Sequence, residues 1–166
     1  GKGNDVLSDG AGNDKLYGGD GADTLIRTDA EGSDVFSGGA GVDTLDLSGI
    51  WESALVDLQN NAKNGGSAAG LKIDTIENVI GSYQDDHIFG NSVGNTLRGG
   101  YGDDRLDGRG GNDTLIGGAE GDLMTGGAGK DKFLYESVYE LGGATRSPIY
   151  VRGQDKIALS KVGVGF

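Results

Sequence analysis

Aspartate recurs at a nine-residue spacing along most of this chain and could supply carboxylate oxygens to metal ions. Calcium is held by six to eight oxygen atoms from carboxylates and backbone carbonyls. When the chain is aligned in nines, eleven copies carry an aspartate, or in one case asparagine, at the sixth position. These residues are Asp5, Asp14, Asp23, Asp34, Asp43, Asp86, Asn95, Asp104, Asp113, Asp122 and Asp131. The spacing therefore predicts a series of calcium sites.

Glycine precedes most of these residues and could turn backbone carbonyls toward the same ions. Of the 166 residues, 35 are glycine, and a residue without Cβ readily adopts the positive φ that such a turn requires. Gln84, Val93 and Glu120 replace the fourth-position glycine, so we expect distorted sites in their copies and the weakest site at Asn95. The candidate ligands at the second and fourth positions are Gly10, Gly12, Gly19, Gly21, Gly39, Gly41, Gly100, Gly102, Gly118, Gly127 and Gly129.

A large apolar residue occupies the eighth position of every copy and must point into a core. Its neighbours at positions seven and nine are mostly polar, which predicts a very short strand with one buried side chain. The high glycine content excludes an all-helical fold. Short strands that alternate with glycine-rich turns predict a solenoid. The apolar residues are Leu7, Leu16, Leu25, Phe36, Leu45, Ile88, Leu97, Leu106, Leu115, Met124 and Phe133.

Composition excludes several classes of function. The 26 acidic and 14 basic residues give a net charge of −12, which argues against nucleic acid and favours a multivalent cation as partner. With no cysteine, the chain cannot form disulfides, thiolate zinc sites or a cysteine nucleophile. His87 is the only histidine, so a zinc-protease motif or a histidine-dependent triad cannot be built. We therefore expect a non-catalytic chain, without a transmembrane segment, that is part of a longer protein.

The repeat GGxGxDxUx, where U is apolar, resembles the RTX (repeats-in-toxin) calcium-binding family. The intervening and final parts are similar to the C-terminal regions of serralysin-type metalloproteases and adenylate cyclase toxins, at residues 42–48, 56–58, 76–82 and 153–160. The resemblance implies an all-β fold, a right-handed parallel β-roll (β-solenoid) in which two nonapeptides make one turn. It also implies that copies one turn apart hold one calcium ion between them.

This arrangement implies about seven calcium ions. The inferred pairs are Asp5 with Asp23, Asp14 with Asp34, Asp23 with Asp43, Asp86 with Asp104, Asn95 with Asp113, Asp104 with Asp122, and Asp113 with Asp131. We expect a first β-roll run over residues 1–46 and an irregular β segment over 47–80 that joins the runs. A second run should follow over 81–134, and a truncated C-terminal cap over 135–166, where Tyr135, Tyr139 and Tyr150 close the roll.

The favoured function is a calcium-binding module that folds on binding the ion after export and stabilises a secreted bacterial protein. The resemblance implies the type I secretion machinery as a partner and an extracellular location, including association with the cell surface; we expect a monomer. Two alternatives stay open. Trp51, Tyr83 and Tyr101 could form a carbohydrate-binding surface of a calcium-dependent adhesin. The chain could also be the non-catalytic C-terminal part of a secreted protease, lipase, epimerase or cyclase toxin.

Overall fold

The computed structural model describes residues 1–135 and 156–159, and it consists of short strands joined by turns. In these residues the one helical element is a 3-10 turn, Asn61–Lys63. The strands are β1 (Val6–Ser8), β2 (Lys15–Asp20), β3 (Thr24–Ile26), β4 (Val35–Ala40), β5 (Thr44–Asp46), β6 (Ala54–Asp57), β7 (Gly65–Gly66), β8 (Lys72–Asp74), β9 (Asn78–Ile80), β10 (His87–Phe89), β11 (Thr96–Gly100), β12 (Arg105–Asp107), β13 (Thr114–Gly118), β14 (Leu123–Thr125), β15 (Lys132–Tyr135) and β16 (Lys156–Leu159).

Within the repeats, successive strands alternate between two faces and pair in parallel with strands one turn away; in the irregular segment β7 pairs antiparallel with β6. One face is an eight-stranded sheet in the order β1-β3-β5-β9-β11-β13-β15-β16. The opposite face consists of a three-stranded sheet, β2-β4-β8, and a five-stranded sheet, β14-β12-β10-β6-β7. Leu97 lies opposite Leu115, which is two nonapeptides further along the chain. The solenoid predicted from the repeat, and the parallel β-roll with two nonapeptides per turn that the resemblance implies, are therefore confirmed.

The eighth-position side chains stack along the axis of the solenoid and form its core. From Leu16 to Phe133 each of them is buried, and Leu7 in the first turn packs half-buried against the same cluster. Because the residues before and after the eighth position face outward in most copies, each repeat strand contributes one large side chain to this column. In β13 the next residue, Ile116, is buried as well. Burial of each such side chain is worth about 2 kcal/mol, so the column alone gives a thin core.

The irregular segment between the two repeat runs divides one face and leaves the other continuous. β5 pairs with β9, which carries the eight-stranded sheet across the segment. On the opposite face β8 adds to β4 and β6 pairs with β10. The side-chain amide of Asn61 covers the end of the shorter sheet, since its Nδ2 donates to the carbonyl oxygen of Ile73 (2.8 Å) and its Oδ1 accepts from the same residue's N–H (3.0 Å).

The C-terminal part of the chain is described only in its strands. β16 continues the eight-stranded sheet beyond β15. The remainder of the predicted cap, including Tyr139 and Tyr150, lies outside the described residues, as do the side chain of Tyr135 and half of the segment 153–160. Within residues 1–135 and 156–159, none of the helical structure has the length and apolar character needed to cross a membrane.

Candidate metal centres

The sixth-position residues lie in two rows of turns, one along each edge of the solenoid. The first edge contains the turns that enter the eight-stranded sheet, and the second edge contains those that leave it. On the first edge are Asp5, Asp23, Asp43, Asn95, Asp113 and Asp131. On the second edge are Asp14, Asp34, Asp86, Asp104 and Asp122. All are buried or half-buried, which is unusual for aspartate and asparagine.

The structure brings together all seven pairs inferred from the repeat. In each pair the backbone N–H of the earlier residue donates to Oδ1 of the residue one turn further along, over 2.7 to 3.1 Å. One carboxylate oxygen is thus used to join neighbouring turns. The second oxygen, Oδ2, is left to face the interior of the turn.

Four sixth-position aspartates, Asp23, Asp43, Asp104 and Asp113, have a buried Oδ2 with neither a hydrogen bond nor an ion pair among the described residues. Oδ2 of Asp9, which is not a sixth-position residue, is also buried without a hydrogen bond. Around Asp104 the surroundings show what this oxygen approaches. An ideal Cβ built on Gly99 would lie 2.0 Å from Asp104 Oδ2 and 2.6 Å from the carbonyl oxygen of Gly117 in the next turn. A carboxylate and a carbonyl oxygen therefore converge at a place that only glycine leaves free. This pair of oxygen types suits a calcium ion.

The backbone conformation at the second position of each copy determines whether the sixth-position side chain accepts a hydrogen bond from within its own turn. Where that residue has positive φ, as at Gly100 (φ 123°), its N–H turns away and the turn is open. Where it does not, the N–H donates back to the sixth-position side chain and the turn is closed. Closed turns occur at Gly10 with Asp14 (3.2 Å), at Ser82 with Asp86 (2.5 Å) and at Asn91 with Asn95 (2.9 Å). The open turns of Asp23, Asp43, Asp104 and Asp113 also leave Oδ2 without a hydrogen bond among the described residues. The turns of Asp122 and Asp131 have the same open backbone, with φ 123° at Gly118 and 93° at Gly127.

Most of the predicted glycine ligands lie close to backbone atoms of the neighbouring turn. All of them except Gly10 have positive φ, as expected. An ideal Cβ on Gly129 would lie 1.5 Å from the carbonyl oxygen of Gly111 in the preceding turn, so any side chain would push the turns apart. The glycines beside the Oδ2 atoms are those of the first position, which sequence analysis missed. They are Gly18, Gly38, Gly81, Gly99, Gly108, Gly117 and Gly126, and Gly90 has the same place beside Oδ1 of Asn95. The signal was the presence of a first-position glycine in every copy of the second run.

Substitutions at the fourth position have different outcomes. Gln84 and Val93 do not adopt positive φ, and the copies that contain them have closed turns. Glu120 keeps the left-handed backbone with φ 77°. A non-glycine residue pays roughly 1–2 kcal/mol for this conformation. The expected distortion therefore coincides with turn closure at Asp86 and Asn95.

Glu77 is a sixth-position residue that sequence analysis missed. Its Oε2 accepts from the N–H of Asp43 (2.9 Å), and its carbonyl oxygen accepts from Nδ2 of Asn95 (2.8 Å). Glu77 thereby extends the first edge across the irregular segment. Val79 two residues later, in the core, is the signal that could have revealed it. The second edge has no such continuity, because Ala54 takes the sixth position one turn before Asp86.

Arg109 maintains the open turn of Asp113 although it is not glycine. Its φ is 66°, and its guanidinium forms a two-pronged ion pair with the buried Asp57, over 2.8 and 2.7 Å. The same group lies 5.3 Å from the ring centroid of Phe89. Burial acts to raise the pKa of Asp57, but hydrogen bonds from Arg109 and the backbone of Gln59 outweigh it and lower that pKa. The ion pair thus fastens the irregular segment to the second repeat run.

Burial makes the sixth-position carboxylates poor hosts for an uncompensated negative charge. Burial, together with the charges of Asp86 and Asp122, raises the pKa of Asp104 to about 8. Burial and the charge of Asp131 raise the pKa of Asp113 to about 6. These carboxylates therefore bind either a proton or a cation. Among the described residues, no three acidic or histidine side chains gather as one cluster, so backbone carbonyls must supply most oxygens of any ion site.

Comparison with known proteins agrees with this geometry. The model of a family described as the RTX calcium-binding nonapeptide repeat matches the chain in four copies, at residues 1–26, 28–49, 89–124 and 107–135. Together these matches cover more than half of the 166 residues. A search of curated proteins gave no match.

Proposed function

The chain belongs to the RTX calcium-binding nonapeptide repeat family, and we propose that it is a calcium-dependent folding module that stabilises a secreted bacterial protein. The observation that carries the proposal is the set of buried Oδ2 atoms in the open turns. Each of them needs a positive partner, because a buried carboxylate without one is strongly disfavoured. The seven stacked pairs set an upper limit of about seven ions, with the open turns as the strongest sites.

Calcium supplies the charge that this fold lacks. When bound, the ion neutralises neighbouring carboxylates and accepts the oxygens of the first-position glycine carbonyls as ligands. The protein's own residues position the turns that form the ion sites. The core column aligns the turns, and the N–H to Oδ1 hydrogen bonds hold successive turns in register. Because the column is thin, removal of the ions leaves too little stabilisation for the roll.

Circular dichroism with and without calcium tests the proposal. In chelator the chain should lose most of its strand signal, and millimolar calcium should restore it with a steep dependence on concentration. Magnesium should fail as a substitute, since it requires a smaller octahedral site and sheds its water reluctantly. A strand signal that is the same in chelator and in calcium would show that the core alone drives folding.

Export before folding is part of the same proposal. RTX repeat proteins are generally secreted bacterial proteins, and low calcium in the cytoplasm would keep the chain unfolded for the type I secretion machinery. Millimolar calcium outside the cell would then allow folding. Under this proposal these repeats bind calcium and do not themselves catalyse a reaction, and any enzyme activity, such as that of a protease, lipase, epimerase or cyclase toxin, would belong to residues other than these.

An adhesin or polysaccharide-binding segment is the second candidate, and the aromatic side chains are the observation that bears on it. Trp51, Tyr83 and Tyr101 are exposed and stacked one above another, with ring centroids 4.5 and 5.5 Å apart. A sugar ring stacks on the face of an aromatic ring, but Tyr83 uses both faces for its neighbours. This arrangement favours a structural ladder over a sugar platform. A glycan array in calcium, with Trp51→Ala as control, should show no binding that depends on the tryptophan.

A further inference from the structure

Arg27 is a fully buried cation within one of the turns assigned to calcium. It begins the extended copy, residues 27–37, which has two residues more than the nonapeptide. Its side chain is 0% exposed. An arginine is seldom buried to this degree unless its charge is paired.

The groups around this guanidinium are of the kinds that line the open turns. Nη1 lies 3.2 Å from Oδ2 of the sixth-position residue Asp34. Nε donates to the carbonyl oxygen of Asp29 (2.7 Å), and Nη2 donates to that of Glu31 (3.3 Å). One sixth-position carboxylate and two backbone carbonyls of the same turn therefore surround one positive charge. In the open turn of Asp104 the corresponding Oδ2 has no partner among the described residues.

The remaining oxygens of this turn are already used. Asp34 Oδ1 accepts from the N–H of Asp14 (2.8 Å), and Asp14 Oδ2 accepts from the N–H of Gly10 (3.2 Å). The extra length of the copy is also held in place, because the N–H and hydroxyl of Thr28 both donate to Oδ1 of Asp9 (2.7 and 2.8 Å). The turn is built around the guanidinium.

We infer that Arg27 is the resident cation of the Asp34 turn, so that the pair Asp14 and Asp34 holds no calcium although its spacing fits the repeat. The charge of Asp34 is compensated within the chain, and this turn does not depend on an external ion. The first run therefore contains one turn that is complete at low calcium, beside the open turns of Asp23 and Asp43 that are not. The inference rests on the proposed calcium binding of the open turns.

The number of bound calcium ions tests this inference. Equilibrium dialysis with metal analysis, or native mass spectrometry, should find one more ion in Arg27→Gln than in the wild type, because the variant frees Asp34 Oδ2 and the two carbonyl oxygens. Arg105→Gln is the matched control, since it removes an exposed arginine, and it should leave the number unchanged. The double variant Arg27→Gln/Asp34→Asn removes both buried charges and should bind the wild-type number.

The outcomes separate the two proposals. Loss of one ion in the double variant would show that Asp34 binds calcium in the wild type, and would overturn the role of Arg27 while leaving the proposed function intact. A folded Arg27→Gln that takes up no further ion would also overturn it. If the wild type binds no calcium, the proposed function is wrong and this inference falls with it. If Arg27→Gln does not fold, the count in the double variant decides.

Discussion

The N–H of Asp86 donates to Oδ1 of Asp104 over 2.8 Å, and these two residues lie one full turn of the solenoid apart. The hydrogen bond binds one carboxylate oxygen to the backbone and fixes the direction of the other. Asp104 Oδ2 then points to the space beside Gly99, where the carbonyl oxygen of Gly117 also lies. The same carboxylate thus links two turns and provides a place for a cation between them.

Asp104→Asn should have opposite effects with and without calcium. The asparagine keeps an oxygen for the N–H of Asp86 and places an amide donor against the carbonyl oxygen of Gly117, so the ion-free fold should gain stability. It loses the charge, however, and should bind at least one ion fewer. Thermal melting in calcium and in chelator would measure both effects, with the gap between the two melting temperatures expected to shrink.

Asp20→Asn is the control for that experiment, because it removes an exposed carboxylate outside the sixth position. Asp20→Asn should leave the difference between the melting temperatures in calcium and in chelator unchanged. A similar narrowing in both variants would mean that general repulsion, and not a defined site at Asp104, determines the calcium dependence.

Gly99→Ala should damage the same site through its shape. The new Cβ would lie 2.0 Å from Asp104 Oδ2 and 2.6 Å from the carbonyl oxygen of Gly117. Such overpacking costs about 1–3 kcal/mol, and the displaced carboxylate should weaken calcium binding as well. Gly49→Ala is the matched control, because a Cβ there meets nothing within 4 Å. Calcium titration followed by circular dichroism would show a higher midpoint for Gly99→Ala alone; equal midpoints would contradict the assigned site.

Acidification should promote folding when calcium is absent. The pKa of Asp104 is raised to about 8 and that of Asp113 to about 6, whereas an unfolded aspartate has a pKa near 3.9. The ion-free fold therefore binds protons that the unfolded chain releases. Proton binding at these two carboxylates stabilises the ion-free fold fully below about pH 4, and this stabilisation is lost as the pH rises through about 6 and about 8. In chelator, the strand signal should increase from pH 9 toward pH 5.

Excess calcium should remove much of this pH dependence, because the ion takes the place of the proton. In chelator, Asp104→Asn should remove the pH dependence of the strand signal around pH 8. A strand signal that decreases on acidification between pH 9 and pH 5 would be incompatible with the raised pKa values.

Asn95→Asp should make folding depend more strongly on calcium. Nδ2 of Asn95 donates to the carbonyl oxygen of Glu77 (2.8 Å), and aspartate replaces this donor by a charged oxygen. The lost hydrogen bond is worth about 1 kcal/mol, so the variant should melt at a lower temperature in chelator. With Val93→Gly it also restores the repeat, and the double variant should melt at a higher temperature in calcium. A neutral or lower melting temperature in calcium would indicate that this turn binds no ion.

The regular turns could be predicted from the sequence because every copy has nearly the same surroundings. The spacing predicted the burial of Leu115, and the resemblance to the RTX family implied the pairing of Asp104 with Asp122. Glu77 escaped prediction because its partner Asp43 lies 34 residues earlier, and only the pairing of β5 with β9 brings them together. The closed turn at Gly10 escaped as well, since a glycine there is compatible with either backbone conformation and the hydrogen bond to Asp14 selects one of them.

The side-chain amide of Asn61 affects whether two molecules of this protein can pair with each other through their strand edges. It occupies both the N–H and the carbonyl oxygen of Ile73 in β8, the last strand of the shorter sheet. Asn64 donates to the carbonyl oxygen of Leu71 beside it (3.0 Å). An uncovered strand edge is a template for pairing with another chain and hence for aggregation. Two asparagine side chains thus cover the edge of β8 and keep a strand from a second molecule from pairing there.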